Sequence, residues 1–241
     1  MALLLLLTLM SSVARFGDRQ GLQHPLHDSA EVFMFWTGSN AMSKTRKQSI
    51  QIFSQMSGFR PTLITKHNLE KYILPHEPLH PAYKYLSAVH RADYLRTYFK
   101  HFYGGGDSDI KQTRGSWKTA FNKLQNTSVW IVGYKERGAF DVAGGQRIQK
   151  HWRRVVGNCA YICRPRTPFT TEWYNSMLAL MDTKLGALRK HPASDPRDAS
   201  GMTKYPIEWN EMLGSIFHPL CVKFSNHISQ ALPPSVFENY Q

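Results

Sequence analysis

The chain has 241 residues, 42% of them hydrophobic and 12% aromatic, with glycine and proline scattered along it; this suits one sizeable core and excludes a disordered, collagenous or coiled-coil chain. Lys and Arg outnumber Asp and Glu by 30 to 17, and the net charge of +13 favours an anionic partner: a phosphate-bearing ligand, a membrane surface or a nucleic acid. Three cysteines are too few for a disulfide scaffold or a structural zinc site, and Cys159 and Cys163, in an apolar run, read as small buried thiols.

The chain begins MALLLLLTLMSSVA, an apolar leader too short to span a bilayer and without a basic start. It reads as a signal cut after Ala14, a truncated anchor or a misplaced start, so residues 1–28 are set apart from an expected single domain over 29–241. With the sequon Asn126-Thr127-Ser128 it fits a secretory or Golgi-membrane setting, the cytoplasm being the alternative. Residues 31–36 form the first apolar run, stopped by Thr37-Gly38; Ser43 then caps a helix to about Ser57, closed by Gly58. A short strand over 61–65 follows. Ala82, Leu86, Val89, Leu95, Phe99 and Phe102 recur at helical spacing and predict one helix over 82–102, ended by three glycines.

Further strands are expected at 129–132 and around 160–163, then a helix begun by Thr167-Pro168 and running to about Lys190. Residues 191–204 read as an exposed polar loop, a candidate lid or acceptor loop, and 206–217 as a last amphipathic helix ending at His218-Pro219. Strands alternating with helices predict an α/β layer fold.

The chemistry concentrates on two neighbouring stretches. Asp93 and Arg96 stand three apart, on one face of the predicted helix. After it, Gly104-Gly105-Gly106 lets the chain turn sharply. If residues 107–111 are extended, alternation puts Asp107, Asp109 and Lys111 on one side. Hard oxygen ligands beside a diphosphate suit Mg²⁺ or Mn²⁺. Glu136, following a strand, is either a base facing an acceptor or an exposed loop charge.

At these residues the sequence resembles the DXD-containing GT-A glycosyltransferases of the group that includes fungal initiating mannosyltransferases, glucosylating bacterial toxins and capsular polysaccharide synthesis proteins. Asp93, Arg96, Gly104, Gly105 and Asp109 follow the family's Asp-x-x-Arg, Gly-Gly and acidic turn, and Phe35-Trp36-Thr37-Gly38 is similar to its strand-end Trp-x-Gly. The resemblance implies a GT-A-like domain with a Rossmann-like nucleotide-binding half and a central mixed sheet flanked by helices. It implies a retaining hexosyl- or pentosyltransferase that moves a sugar from a UDP- or GDP-linked donor to a glycan or other hydroxyl acceptor. Trp36 would stack on the base, Asp93, Arg96, Gly104, Gly105 and Lys111 would hold the donor, and Arg96, Asp109 and Glu136 would serve the chemistry. Asp107, Asp109 and His218 would hold Mn²⁺ or Mg²⁺.

The sequence departs from the family where Asp107 replaces a tyrosine and Lys111 replaces the second aspartate. Either the metal pair has moved back to Asp107 and Asp109, or Lys111 replaces the ion and Asp109 orients it. The first is the expectation, because two carboxylates two residues apart otherwise repel one another beside an anionic ligand. Two other classes stand beside the transferase. One is a nucleic-acid binder, suggested by the net charge and the basic run 146–154, though the basic residues are spread along the chain and the acidic turn repels phosphate. The other is a transferase-like protein that binds without catalysis.

Overall fold

The structure, a computed structural model, describes residues 30–238, so the leader lies outside the described residues. Strand β1 (Val32–Trp36) is an unbroken apolar run rich in aromatic residues, and all but Trp36 are buried. Such a run fits only an inner strand covered on both faces. It pairs in parallel with β2 (Thr62–Thr65) on one side and β3 (Gly105–Ser108) on the other. Helix α1 (Lys44–Ser57) starts where Ser43 accepts a hydrogen bond from the Arg46 amide and stops at Gly58, whose φ of 79° suits glycine.

Helix α2 (Ala88–Phe102) begins later than its apolar spacing predicts. Tyr83–Tyr85 is a separate 3-10 turn, and the Ser87 hydroxyl, accepting from the His90 amide, fixes the true start. A local cap overrides a periodicity that runs on into the preceding turn.

Beyond β3 come α3 (Lys118–Lys123), β4 (Ile131–Lys135), α4 (Gln146–Gln149), β5 (Val156–Cys163), α5 (Pro168–Lys190), α6 (Gly214–Lys223) and β6 (Ile228–Ser229). Thr167 caps α5 reciprocally with Thr170, with Pro168 at the first helical position. The last helix differs from expectation: residues 206–213 are irregular, and α6 passes through Pro219 instead of ending there. Proline gives up one ladder bond, but Phe217, Leu220 and Cys221 carry the buried face past it against the core.

The six strands form one mixed sheet in the order β2-β1-β3-β5-β4-β6, with β5 antiparallel to both its neighbours and β4 parallel to β6. The fold is therefore α/β, a mixed sheet flanked by helices, and its first three strands make a parallel, Rossmann-like half. Alternation along β1 splits the core. Phe33 and Phe35 pack with Leu95 and Phe99 of α2 and Met177 of α5, while Val32 and Met34 pack with Phe53 of α1 and Trp117. Among the described residues no helix is long and apolar enough to cross a membrane.

Candidate active site

In a sheet of order 2-1-3 the chain leaves β1 toward one neighbour and returns through α2 to the other. The strand ends spread apart at that switch, leaving a crevice beyond the carboxyl ends of β1 and β3. A cavity of about 550 Å³ opens there. Trp36, the last residue of β1, lines it, half-buried, with its indole nitrogen donating to the Asn40 carbonyl at 3.0 Å and the Arg46 guanidinium 5.4 Å from its ring centre. The indole packs partly on the core and also lines the cavity.

Asp93, Arg96, Asp109 and Lys111 line the cavity too. Arg96 is buried and organises it: one guanidinium nitrogen donates to Asp109, another to the Asn158 carbonyl at 3.2 Å, and Nε stands 3.5 Å from Asp107. The strand ends at Ser108, and the expected extended run to Lys111 does not form. Instead the Lys111 amide donates to the Asp109 carbonyl at 2.7 Å, a tight turn that lays Lys111 Nζ 2.7 Å from Asp109 Oδ2.

The three carboxyl groups differ sharply. Burial works against a charge on Asp109, but Arg96 and Lys111 outweigh it and hold this carboxyl well below the usual range. Burial pushes Asp93 up to about 7 and Asp107 up to about 6, Arg96 opposing the shift in both. Asp107 is fully buried and does not line the cavity, and its carboxyl group faces Arg96 and the Tyr161 hydroxyl inside the core.

The structure does not bring the other expected site residues to the cavity. Gly104 and Gly105 lie at the far end of β3, where the fully buried Lys100 donates to the carbonyls of Gly104, Gly105 and Gly106 at 2.7, 3.0 and 2.7 Å. Their φ values of 68° and 70° explain the glycines, and a β-carbon on Gly105 would stand 2.6 Å from the Glu31 carbonyl oxygen. Gly105→Ala should therefore destabilise the fold by about 1 to 3 kcal/mol without changing ligand affinity of the folded protein; denaturant titration and calorimetry test the two halves separately.

Glu136 is neither exposed nor at the cavity. It is buried 3.7 Å from His218 Nε2, and His218 accepts from the Ala143 amide at 2.9 Å. Burial raises Glu136 to about 7 and lowers His218 to about 4, so this pair is a separate buried contact.

Three cavity residues escaped the sequence reading. Arg46 follows the cap Ser43 by three residues, so it belongs to the first turn of a helix that starts just after a strand end; that position was legible. In the loop between α5 and α6, Arg197 comes from the stretch 191–204, read as a candidate lid, whereas Trp209 comes from the irregular residues 206–213 that were expected to be helical. The loop is tied to the start of α2: the Val89 amide donates to the Pro196 carbonyl at 3.1 Å, and buried His90 meets Tyr205 and the Glu208 carbonyl at 3.0 and 3.2 Å. Nothing local marks those long-range contacts.

The divalent ion implied by the resemblance does not fit these residues. Each oxygen of Asp109 already meets a cation, Asp107 is behind the wall, and His218 is not at the cavity. Among the described residues no three side chains of the types His, Cys, Asp and Glu gather to hold a metal. An ion bound to Asp109 would face the Lys111 ammonium across a few ångströms, a strong repulsion in a partly buried site.

No protein-family model matches the chain, and no curated protein matches it. Among solved structures it is similar to one described as PaToxG Glycosyltransferase, with 10% identity and a TM-score of 0.45, over 81% of this chain and 67% of that one.

Proposed function

We propose that the chain is a glycosyltransferase that binds a nucleotide-linked sugar in the cavity at the β1–β3 switch and passes the sugar to a glycan or other hydroxyl acceptor. The observation that carries this reading is convergence. Trp36, Asp93, Arg96 and Asp109 come from three separate segments, and the fold gathers them on one cationic cavity at the switch point. Ala41, Ser43 and Arg46 add the start of α1, whose amide dipoles favour an anion. A base stacked on Trp36 would leave its diphosphate in the same cavity as this helix start and the cations Arg96 and Lys111.

In transfer, the bond from the anomeric carbon to the diphosphate breaks with its electron pair going to the phosphate oxygen. The acceptor oxygen forms the new bond, and its proton passes to the oxygen of the departing diphosphate. The enzyme's contribution is to fix the donor and to stabilise charge growing on the leaving diphosphate. The leader-like segment and the exposed sequon at Asn126 support a secretory-pathway setting.

A panel of UDP- and GDP-linked sugars, read first by thermal protection and then by release of labelled sugar, tests this reading. Protection by a nucleotide sugar with turnover is the expected result. Protection without turnover would favour a binding protein, and protection by oligonucleotides alone would favour the nucleic-acid class. Trp36→Ala should weaken nucleotide binding by about 1 to 3 kcal/mol, the usual worth of an aromatic platform under a base, while the unfolding midpoint stays close to the parent's. Equal nucleotide affinity in parent and variant would remove Trp36 from the site.

A further inference from the structure

We infer that the cavity binds the diphosphate of its ligand without a divalent cation, with the Lys111 ammonium, held in place by Asp109, standing where an ion would otherwise sit. The inference rests on the donor-binding reading above and specifies how that site meets the charge of its ligand.

Asp109 is the focus. One of its oxygens accepts from the Arg96 guanidinium and the other from Lys111 Nζ at 2.7 Å, so the carboxylate that would ligate an ion is used to position two cations. The pairing is built into the main chain, because the turn from the Lys111 amide to the Asp109 carbonyl sets the two side chains next to each other. Lys111 is held from other sides as well, with Cys159 Sγ at 3.5 Å and the Phe237 ring centre at 4.9 Å. It is only 6% exposed, yet it lines the cavity. A buried lysine with its stem packed and its charge countered is a fixed point charge.

The balance of charge points the same way. Arg46, Arg96, Lys111 and Arg197 line the cavity against two carboxyl groups, Asp93 and Asp109. Burial leaves Asp93 incompletely ionised at neutral pH. The remaining carboxyl of the turn, Asp107, is on the core side of Arg96 and adds nothing to the cavity wall. The wall is thus net positive without any added ion, as a nucleoside diphosphate requires. In a site that relied on a divalent ion, the wall would offer open carboxylate oxygens and would repel the diphosphate until the ion arrived.

The test uses UDP and GDP as probes in calorimetric titrations of the full chain, first with EDTA and then with Mn²⁺ or Mg²⁺. Dissociation constants that agree within about twofold across those conditions are expected. Lys111→Met should weaken binding of the same nucleotide at least tenfold, and Lys111→Arg should retain most of it. Lys111→Asp sets a second carboxylate beside Asp109 and should make binding depend on Mn²⁺, with loss of the free-ion electron spin resonance signal on mixing. Binding by the parent that disappears in EDTA and returns with Mn²⁺ would overturn the inference while leaving the donor-binding reading intact. Absence of nucleotide binding under every condition would overturn both. If a Lys111 variant fails to fold, the comparison of the parent with and without chelator still decides the matter.

Discussion

Arg96→Ala is expected to unfold the protein at markedly lower denaturant and to abolish nucleotide binding in whatever fraction stays folded. Arg96 is 7% exposed and is the shared counter-charge of the site, donating to Asp109 and to the Asn158 carbonyl and pairing with Asp107. Removing it leaves Asp107 with Lys100 as its remaining cationic neighbour and Asp109 with Lys111 alone. Breaking a buried ion pair by deleting one partner costs about 3 to 5 kcal/mol, since the charge left behind has lost water and gained nothing. Arg96→Lys keeps the charge but not the planar fork, and one ammonium cannot reach all three partners. It should recover part of the stability and little of the affinity. Urea titration and nucleotide calorimetry on parent, Arg96→Lys and Arg96→Ala give the comparison; an Arg96→Lys protein equal to the parent in both would remove the geometric argument.

Lys100→Met should produce a loss of similar size by a route that does not involve the ligand. Lys100 is fully buried, and its ammonium is the donor for three successive glycine carbonyls at the start of β3. Burial lowers its pKa to about 8, Asp107 opposing the shift, so it remains charged at neutral pH. Methionine matches the length and fills the space but donates nothing. Leaving buried acceptors unsatisfied costs about 1 to 3 kcal/mol for each group that finds no new partner, so a total of about 3 kcal/mol or more is expected. Because the turn lies at the opposite end of β3 from the cavity, the folded variant should bind nucleotide as the parent does. A variant that kept its stability and lost its affinity would return the glycine turn to the binding site.

Much of the architecture was legible because it is set by neighbours in the chain. Ser43 with Gly58 marked α1, and Thr167-Pro168 marked α5, since a cap satisfies amides only three residues away. The apolar run stopped by Thr37-Gly38 marked β1, while its inner place between β2 and β3 came only with the sheet. Boundaries failed where a second local signal competed with the first. The helical spacing from Ala82 ran across the Ser87 cap, and Pro219 suggested a stop that buried Phe217 and Leu220 override.

For the site, the sequence by itself put Asp93 and Arg96 on one helix face, three residues apart, and it was the family resemblance that grouped Trp36 and Asp109 with them. The sequence could not say what each side chain touches. Only the tertiary structure decided that Asp109 is shared by Arg96 and Lys111, that Asp107 faces the core, and that Gly104 and Gly105 serve Lys100. The same holds for the buried Glu136 and His218 pair and for the entry of Arg197 into the cavity wall. The physical reason is range. Caps, turns and periodicity act over a few residues, whereas the partners of a buried charge are chosen by desolvation, and burial forces each carboxylate onto whichever cation the packed fold brings within reach.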